Sequence, residues 1–252
     1  RGRILAPVPP DAVHYVGHHV DHELVENIEA DCDERIRRLA AGEPRRFLLT
    51  MGGAGAQREL FKAVIDHCLP RIEKGELALF VNLGDHRDNW EWLQGAMGTK
   101  RKILKTHFSW ESTKALVDEI RTGEAAGLHV MLFDNTFHAV YATNYLMRVV
   151  DVMITKPSEL AFYPVPKIFN RRVGGHEKWG AIRSAELGDG TVETRSIAET
   201  LQAIDLLAEE DDLMRLYCDR IVKNKHAGIY DGAYRCVELA TGKKFTARQA
   251  AT

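Results

Sequence analysis

Short, almost continuous apolar runs alternate along this chain with longer stretches whose apolar residues recur at helical spacing. Phe47–Met51, Leu77–Leu83, Leu128–Phe133, Val149–Thr155 and Val165–Phe169 are such runs, each bounded by turn residues. Runs of this length, apolar at successive positions, predict strands buried on both faces. Lys102–Thr106 predicts a further strand with charged positions, and His14–His18 a short strand entering a turn. Between them the spacing is helical. Arg58–Glu73 carries Leu60, Phe61, Val64, Ile65, Cys68 and Leu69 on one stripe. Asp21–Ala41 predicts a charged amphipathic helix that stops at Gly42 and Pro44. Helices are also predicted over Asp88–Gln94, Ser112–Arg121, Thr136–Met147, a short one from Pro157 to Tyr163, His176–Leu187, Ile197–Leu207 and Asp211–Val222. Strands alternating with helices predict βαβ units. The expected fold is therefore α/β, a Rossmann-like, doubly wound parallel sheet with helices on both faces. Residues 1–12 are Pro-rich and read as a linker, 13–225 as the domain and 226–252 as a tail without a clear pattern.

Composition narrows the classes. The 34 basic and 36 acidic residues leave a formal charge of −2, so no global field draws nucleic acid or an anionic membrane, and any anion site must be local. Cys32, Cys68, Cys218 and Cys236 are too scattered for a CxxC site and predict buried, reduced thiols in a cytoplasmic protein. No apolar run approaches the roughly 20 residues of a membrane span. The start at Arg1 has neither an initiator Met nor a signal-peptide pattern and reads as a chain entered in its middle.

In a parallel sheet the residues just past each strand border the ligand crevice, so these are the ones to inspect. The first strand runs into Met51-Gly-Gly-Ala-Gly-Ala-Gln57 and then a helix. Glycines let backbone N–H groups approach a phosphate at a helix start, though a tight turn has the same composition, and the pattern is neither GxGxxG nor a Walker loop. Thr155-Lys-Pro-Ser-Glu-Leu160 puts Glu159 at a strand end, either as a helix-start carboxylate or as an acceptor for ribose hydroxyls. After the next strand, Gly174 and Gly175 precede His176 and Glu177. They form either a solvated loop or a contact to a sugar or phosphate, with Arg171 and Arg172 either facing solvent or guiding an anionic donor. Asp31-Cys-Asp33 contains a D-x-D, but mid-helix the two side chains diverge, which predicts a solvated face. His18, His19 and His22 lack the thiols and supporting partners of a zinc site, and Ser109 and Ser112 lack a G-x-S-x-G setting.

The stretch from Val13 to Leu207 resembles the C-terminal domain of GT-B glycosyltransferases. It is most similar to the bacterial family that adds N-acetylglucosamine to the peptidoglycan lipid precursor and to the plant galactolipid synthases. The likeness rests on Tyr15-Val-Gly17 at the domain entry, the glycine turn Gly52–Gln57, the strand Val130–Phe133, the helix Thr136–Met147, the run Val150-Asp-Val-Met-Ile-Thr-Lys156, Glu159, and Pro166 seven residues later. The chain departs from the family in a glycine turn one residue shorter and in Lys156-Pro-Ser158 replacing an Arg-Ala-Gly-x-x-Thr phrase. It also has His176-Glu177 where a Gln pair stands. The resemblance implies binding of a nucleoside-diphosphate sugar, a UDP-sugar, with no metal required. It implies donor contacts from Gly52, Gly53, Ala54, Gly55, Gln57, Phe133, Lys156, Ser158, Glu159, Gly175, His176 and Glu177. The acceptor site, the catalytic base and any membrane contact would belong to an N-terminal domain. A sugar-nucleotide epimerase or hydrolase of the same fold, and a non-catalytic nucleotide-sugar-binding module, are the alternatives.

Overall fold

The computed structural model describes residues 7–52, 55–123 and 125–244. Seven strands form one sheet among them: β1 (Arg45–Thr50), β2 (Leu77–Asn82), β3 (Leu104–His107), β4 (Gly127–Met131), β5 (Val152–Thr155), β6 (Lys167–Phe169) and β7 (Gly190–Glu193). Their order is β3-β4-β2-β1-β5-β6-β7, and every pairing is parallel. From β1 the chain builds one side, with β2 beside β1, β3 at the edge and β4 between β2 and β3, then crosses back to place β5 on the other side of β1. That reversal makes the carboxyl ends of β1 and β5 the natural ligand crevice.

Successive residues of β1 point to opposite faces, and both faces are covered. Phe47 and Leu49 pack with α3 (Arg58–Glu73), α4 (Arg87–Met97) and α8 (Ile197–Glu209). Leu48 packs with α1 (His22–Glu26), α2 (Ile28–Ala41), α5 (Trp110–Thr122) and α6 (Thr136–Met147). A smaller cluster of Ala161, Phe169 and Ala181 seats α7 (Lys178–Leu187) beside β6. The chain closes with α9 (Asp211–His226) and α10 (Gly232–Thr241).

Several expectations are corrected by tertiary contacts. The helix expected over 21–41 is two pieces that break at Asn27, and its charged residues are not simply solvated. Asp31 is buried and paired with Arg148 at 3.2 Å. Arg35 donates to the carbonyls of Val150 at 2.9 Å and Met147 at 2.7 Å. Arg38 pairs with Asp151 at 2.8 Å, while the other oxygen of Asp151 accepts the Arg46 N–H at 2.8 Å. These bonds fasten α2 to the start of β1 and the turn before β5. The stretch 14–18 makes no sheet ladder. Instead the His18 N–H donates to the Ile229 carbonyl at 2.7 Å and the His18 carbonyl accepts the Gly232 N–H at 2.9 Å, so the entry segment is held by the turn into α10. The segment expected as a short helix is a 3-10 turn, Glu159–Phe162. β7 and α10 have no counterpart among the predicted elements. Cys32, Cys68 and Cys218 are buried as expected, but Cys236 is exposed on α10.

Near the sheet edge, His129 on β4 is 4% exposed and stacks between Phe80 at 5.0 Å and His107 at 5.3 Å. A carbonyl can only accept, so His129 Nε2–H donates to the Ala126 carbonyl at 3.1 Å and Nδ1 accepts from His107 Nε2–H at 3.1 Å. Burial, reinforced by His107 and Lys105, lowers the His129 pKa to about 4 against the bond to Ala126. The folded value thus lies below the unfolded one of about 6.5. The neutral pair stabilises the fold above that pH, and the contribution falls away as pH drops toward 4. We expect His129 alone to remove about 2 kcal/mol of stability between pH 7 and pH 5. Urea denaturation of the wild type and His129→Gln at both pH values checks this, and an equal pH dependence in the two proteins would refute it.

Candidate functional site

A cavity of about 530 Å³ opens at the carboxyl ends of β1, β2 and β5. One wall is Thr50–Gly52, a second is Asn82 with Gly84–His86, a third is the α6 face from Thr136 to Asn144, and the fourth runs from Thr155 to Tyr163. The floor is fixed by a hydrogen bond from Thr50 Oγ1 to Thr155 Oγ1 at 2.9 Å. Buried Asn82 joins β2 to α6, donating to the Ala139 carbonyl at 2.9 Å and Thr143 Oγ1 at 2.8 Å and accepting the Gly84 N–H at 2.9 Å. At the far end the Tyr163 hydroxyl and the Asn144 amide both donate to Asp21, at 2.8 and 2.9 Å.

The glycine turn is braced from α4. The Gly55 N–H closes onto the Gly52 carbonyl at 2.9 Å, with Gly55 at φ +59°. His86 Nε2–H also donates to the Gly52 carbonyl, at 3.2 Å, and Asn89 donates to the Gly55 carbonyl at 2.8 Å. A Cβ at Gly55 would lie 2.8 Å from His86 Nδ1, and one at Gly52 would overlap the Lys156 side chain. Gly55 therefore requires glycine both for close approach and for its left-handed backbone conformation, whereas a side chain at position 52 would displace the Lys156 stem.

The expected site residues divide. Gly52, Lys156, Ser158 and Glu159 line this one cavity. Glu159 is exposed, and its carboxylate has no hydrogen-bond or ion-pair partner among the described residues. Gly53 and Ala54 lie outside the described residues. Gln57, at φ +75°, donates its side-chain amide to the Arg171 carbonyl, so it ties the glycine turn to the loop after β6 rather than facing the cavity. Phe133 is a core residue, 3% exposed, whose N–H donates to the Gly84 carbonyl at 2.9 Å. Gly175 and His176 are exposed on a 3-10 turn away from the cavity lining. Glu177 is buried behind Lys156 and ion-paired with it.

Thr50, Asn82, Asp85, His86, Thr136, Thr155 and Tyr163, none of them among the site residues expected from the sequence, also line the cavity. Asp85 and His86 follow β2 directly, so the strand-end rule that located Glu159 also points to them. Asp85 accepts from Thr136 Oγ1 at 3.0 Å, linking the loop after β2 to the first turn of α6. The arrangement offers a strand-end glycine with a cation beside it, hydroxyls on the floor, and a rim carboxylate without a partner among the described residues.

Comparison with known proteins agrees with this architecture. Residues 8–241 match the model of a family described as a domain of unknown function (DUF6938). No curated protein matches the chain significantly. Among solved structures, the UDP-GlcNAc 2-epimerase from Neisseria meningitidis bound to UDP-GlcNAc is similar with a TM-score of 0.56 at 11% identity, over 94% of this chain and 57% of that one. The S. aureus MnaA–UDP co-structure is similar at 0.53 and 13% identity, over 94% and 57%. The glycotransferase of kitacinnamycin is similar at 0.50 and 14% identity, over 79% and 43%. This chain thus spans about half the length of the solved structures it matches. At such identities the likeness is one of fold. No helix among the described residues is long and apolar enough to cross a membrane. The chain belongs to the DUF6938 family, and its fold is that of the C-terminal half of GT-B glycosyltransferases and related UDP-sugar enzymes.

Proposed function

We propose that this domain binds a nucleoside-diphosphate sugar, a UDP-sugar, and serves as the donor half of a GT-B glycosyltransferase. The observation that carries the reading is the Glu159 carboxylate, without a partner among the described residues, on the same cavity as Gly52 and Lys156. A carboxylate with no partner among the described residues, at a strand end of a doubly wound sheet, suits the paired hydroxyls of a ribose. Three groups suit the diphosphate and the charge that grows on it as the glycosidic bond breaks: the Lys156 ammonium, the amides around Gly52 and the first turn of α6. The acceptor and the base that activates it would come from a second, N-terminal domain across the cleft. The neighbours solved with UDP or UDP-GlcNAc lend support at the level of the fold.

The test is product analysis on the full-length protein that carries this domain, incubated with labelled UDP-N-acetylglucosamine and a cell extract as the acceptor source. Label appearing in a larger product together with free UDP is expected. Free or epimerised sugar as the sole product would replace the transferase with a hydrolase or epimerase. Intact donor with no detectable UDP binding would leave neither reading standing.

A further inference from the structure

Lys156 is the one Lys or Arg among the described residues lining the cavity. Its side chain lies across Gly52, where even a methyl group would overlap it. The ammonium is ion-paired with one carboxylate oxygen of Glu177. The other oxygen accepts the N–H groups of Val173 at 2.8 Å and Gly174 at 3.0 Å. Burial works against the charge on Glu177, yet the Lys156 ammonium and the two N–H groups outweigh it and hold the carboxyl below its ordinary range. Glu177 is therefore ionised at neutral pH. The loop it grips is tied a second time to the glycine turn, through Gln57 and the Arg171 carbonyl.

A lysine stem has four rotatable bonds, and fixing them is costly in entropy. In this protein the ion pair with Glu177 holds the stem in place. Glu177 takes one of the three ammonium protons and leaves the others for a ligand. We propose that Glu177 is a positioning residue: it touches no ligand itself, and it holds the Lys156 ammonium over the glycine turn, where the cation meets the phosphates of the donor. The assignment rests on the nucleotide-sugar reading of the cleft. It makes Lys156 and Glu177 one functional unit and gives the loop after β6 a task without contact to the ligand.

The experiment measures binding of UDP by calorimetry, and of uridine by ligand-observed NMR. The proteins are wild type, Glu177→Gln, Lys156→Met and the double variant. Glu177→Gln is expected to weaken UDP about 10-fold and to leave uridine unchanged. Lys156→Met should weaken UDP at least as much, and the double variant no more than Lys156→Met alone. If Glu177→Gln does not fold, Glu177→Asp, which withdraws the charge by one methylene, should likewise weaken UDP and spare uridine. An equal loss for UDP and uridine would reduce Glu177 to a structural role. Unchanged or tighter UDP binding would overturn the positioning assignment. A wild type that binds no UDP would instead sink the reading of the cleft on which it rests.

Discussion

Replacing Asp189 by alanine is expected to cost this protein about 3–5 kcal/mol of stability. Asp189 and Lys167 are both 0% exposed and pair at 3.0 Å between β6 and β7. Asp189 also accepts from the Tyr230 hydroxyl at 3.0 Å and from Ser184. The remaining ammonium protons of Lys167 go to the Tyr163 carbonyl at 2.7 Å and the Val165 carbonyl at 2.9 Å. Burial pushes the Lys167 pKa down, and Asp189 is the main influence opposing it. Alanine at 189 would leave a buried cation without its counter-ion and two hydroxyls without an acceptor, the costliest way to break such a network. The thermal midpoint should fall by roughly 10 °C or more. A well-packed apolar pair, Lys167→Met with Asp189→Leu, should recover much of the loss, because no charge is then stranded. A loss below about 1 kcal/mol in chemical denaturation of Asp189→Ala would show that the network does not hold the fold. The network also reaches the site: the carbonyls that Lys167 holds lie on the segment that carries Glu159 and Tyr163.

The parts of the fold legible in the sequence were those whose signal is local. Five strands that are buried on both faces announce themselves as apolar runs, and α3 as a regular stripe. β7 could not be seen this way. Its Gly-Thr-Val-Glu stretch pairs only with the short β6 at the sheet edge, and Val192 remains 68% exposed. α10 was hidden because much of its apolar surface, Val237 and Leu239 included, stays exposed. The charges of α2 misled for the opposite reason. A buried Asp31 or Arg35 looks like a solvated one until its partner, over a hundred residues away, is known.

The site divides along the same line. Topology alone brings Gly52, Lys156 and Glu159 to one edge, since each follows β1 or β5, the strands at the switch point. Glu177 and Gln57 belong to the same region, but their side chains are committed to Lys156 and Arg171, and spacing cannot reveal such commitments. Phe133 lies two residues past β4, and its ring is committed to the core cluster that holds Phe80 and Met131 rather than to the cavity.

The cleft beside β1 and β5 is proposed to hold the ribose and phosphates of a nucleotide. Glu159 tests this best, because its carboxylate makes no hydrogen bond or ion pair among the described residues. Its removal should spare stability and act on the ligand alone. Two charge-assisted hydrogen bonds to ribose hydroxyls correspond to about 2–4 kcal/mol of binding. Glu159→Ala should therefore weaken UDP about 30-fold or more. An analogue lacking both ribose hydroxyls should bind the two proteins alike. The deciding measurement is a calorimetric titration of UDP into wild type and Glu159→Ala, with matched unfolding curves. Saturable binding to the wild type, weakened about 30-fold in the variant at unchanged stability, is the predicted result. Equal affinities, or no binding to the wild type, would contradict the account.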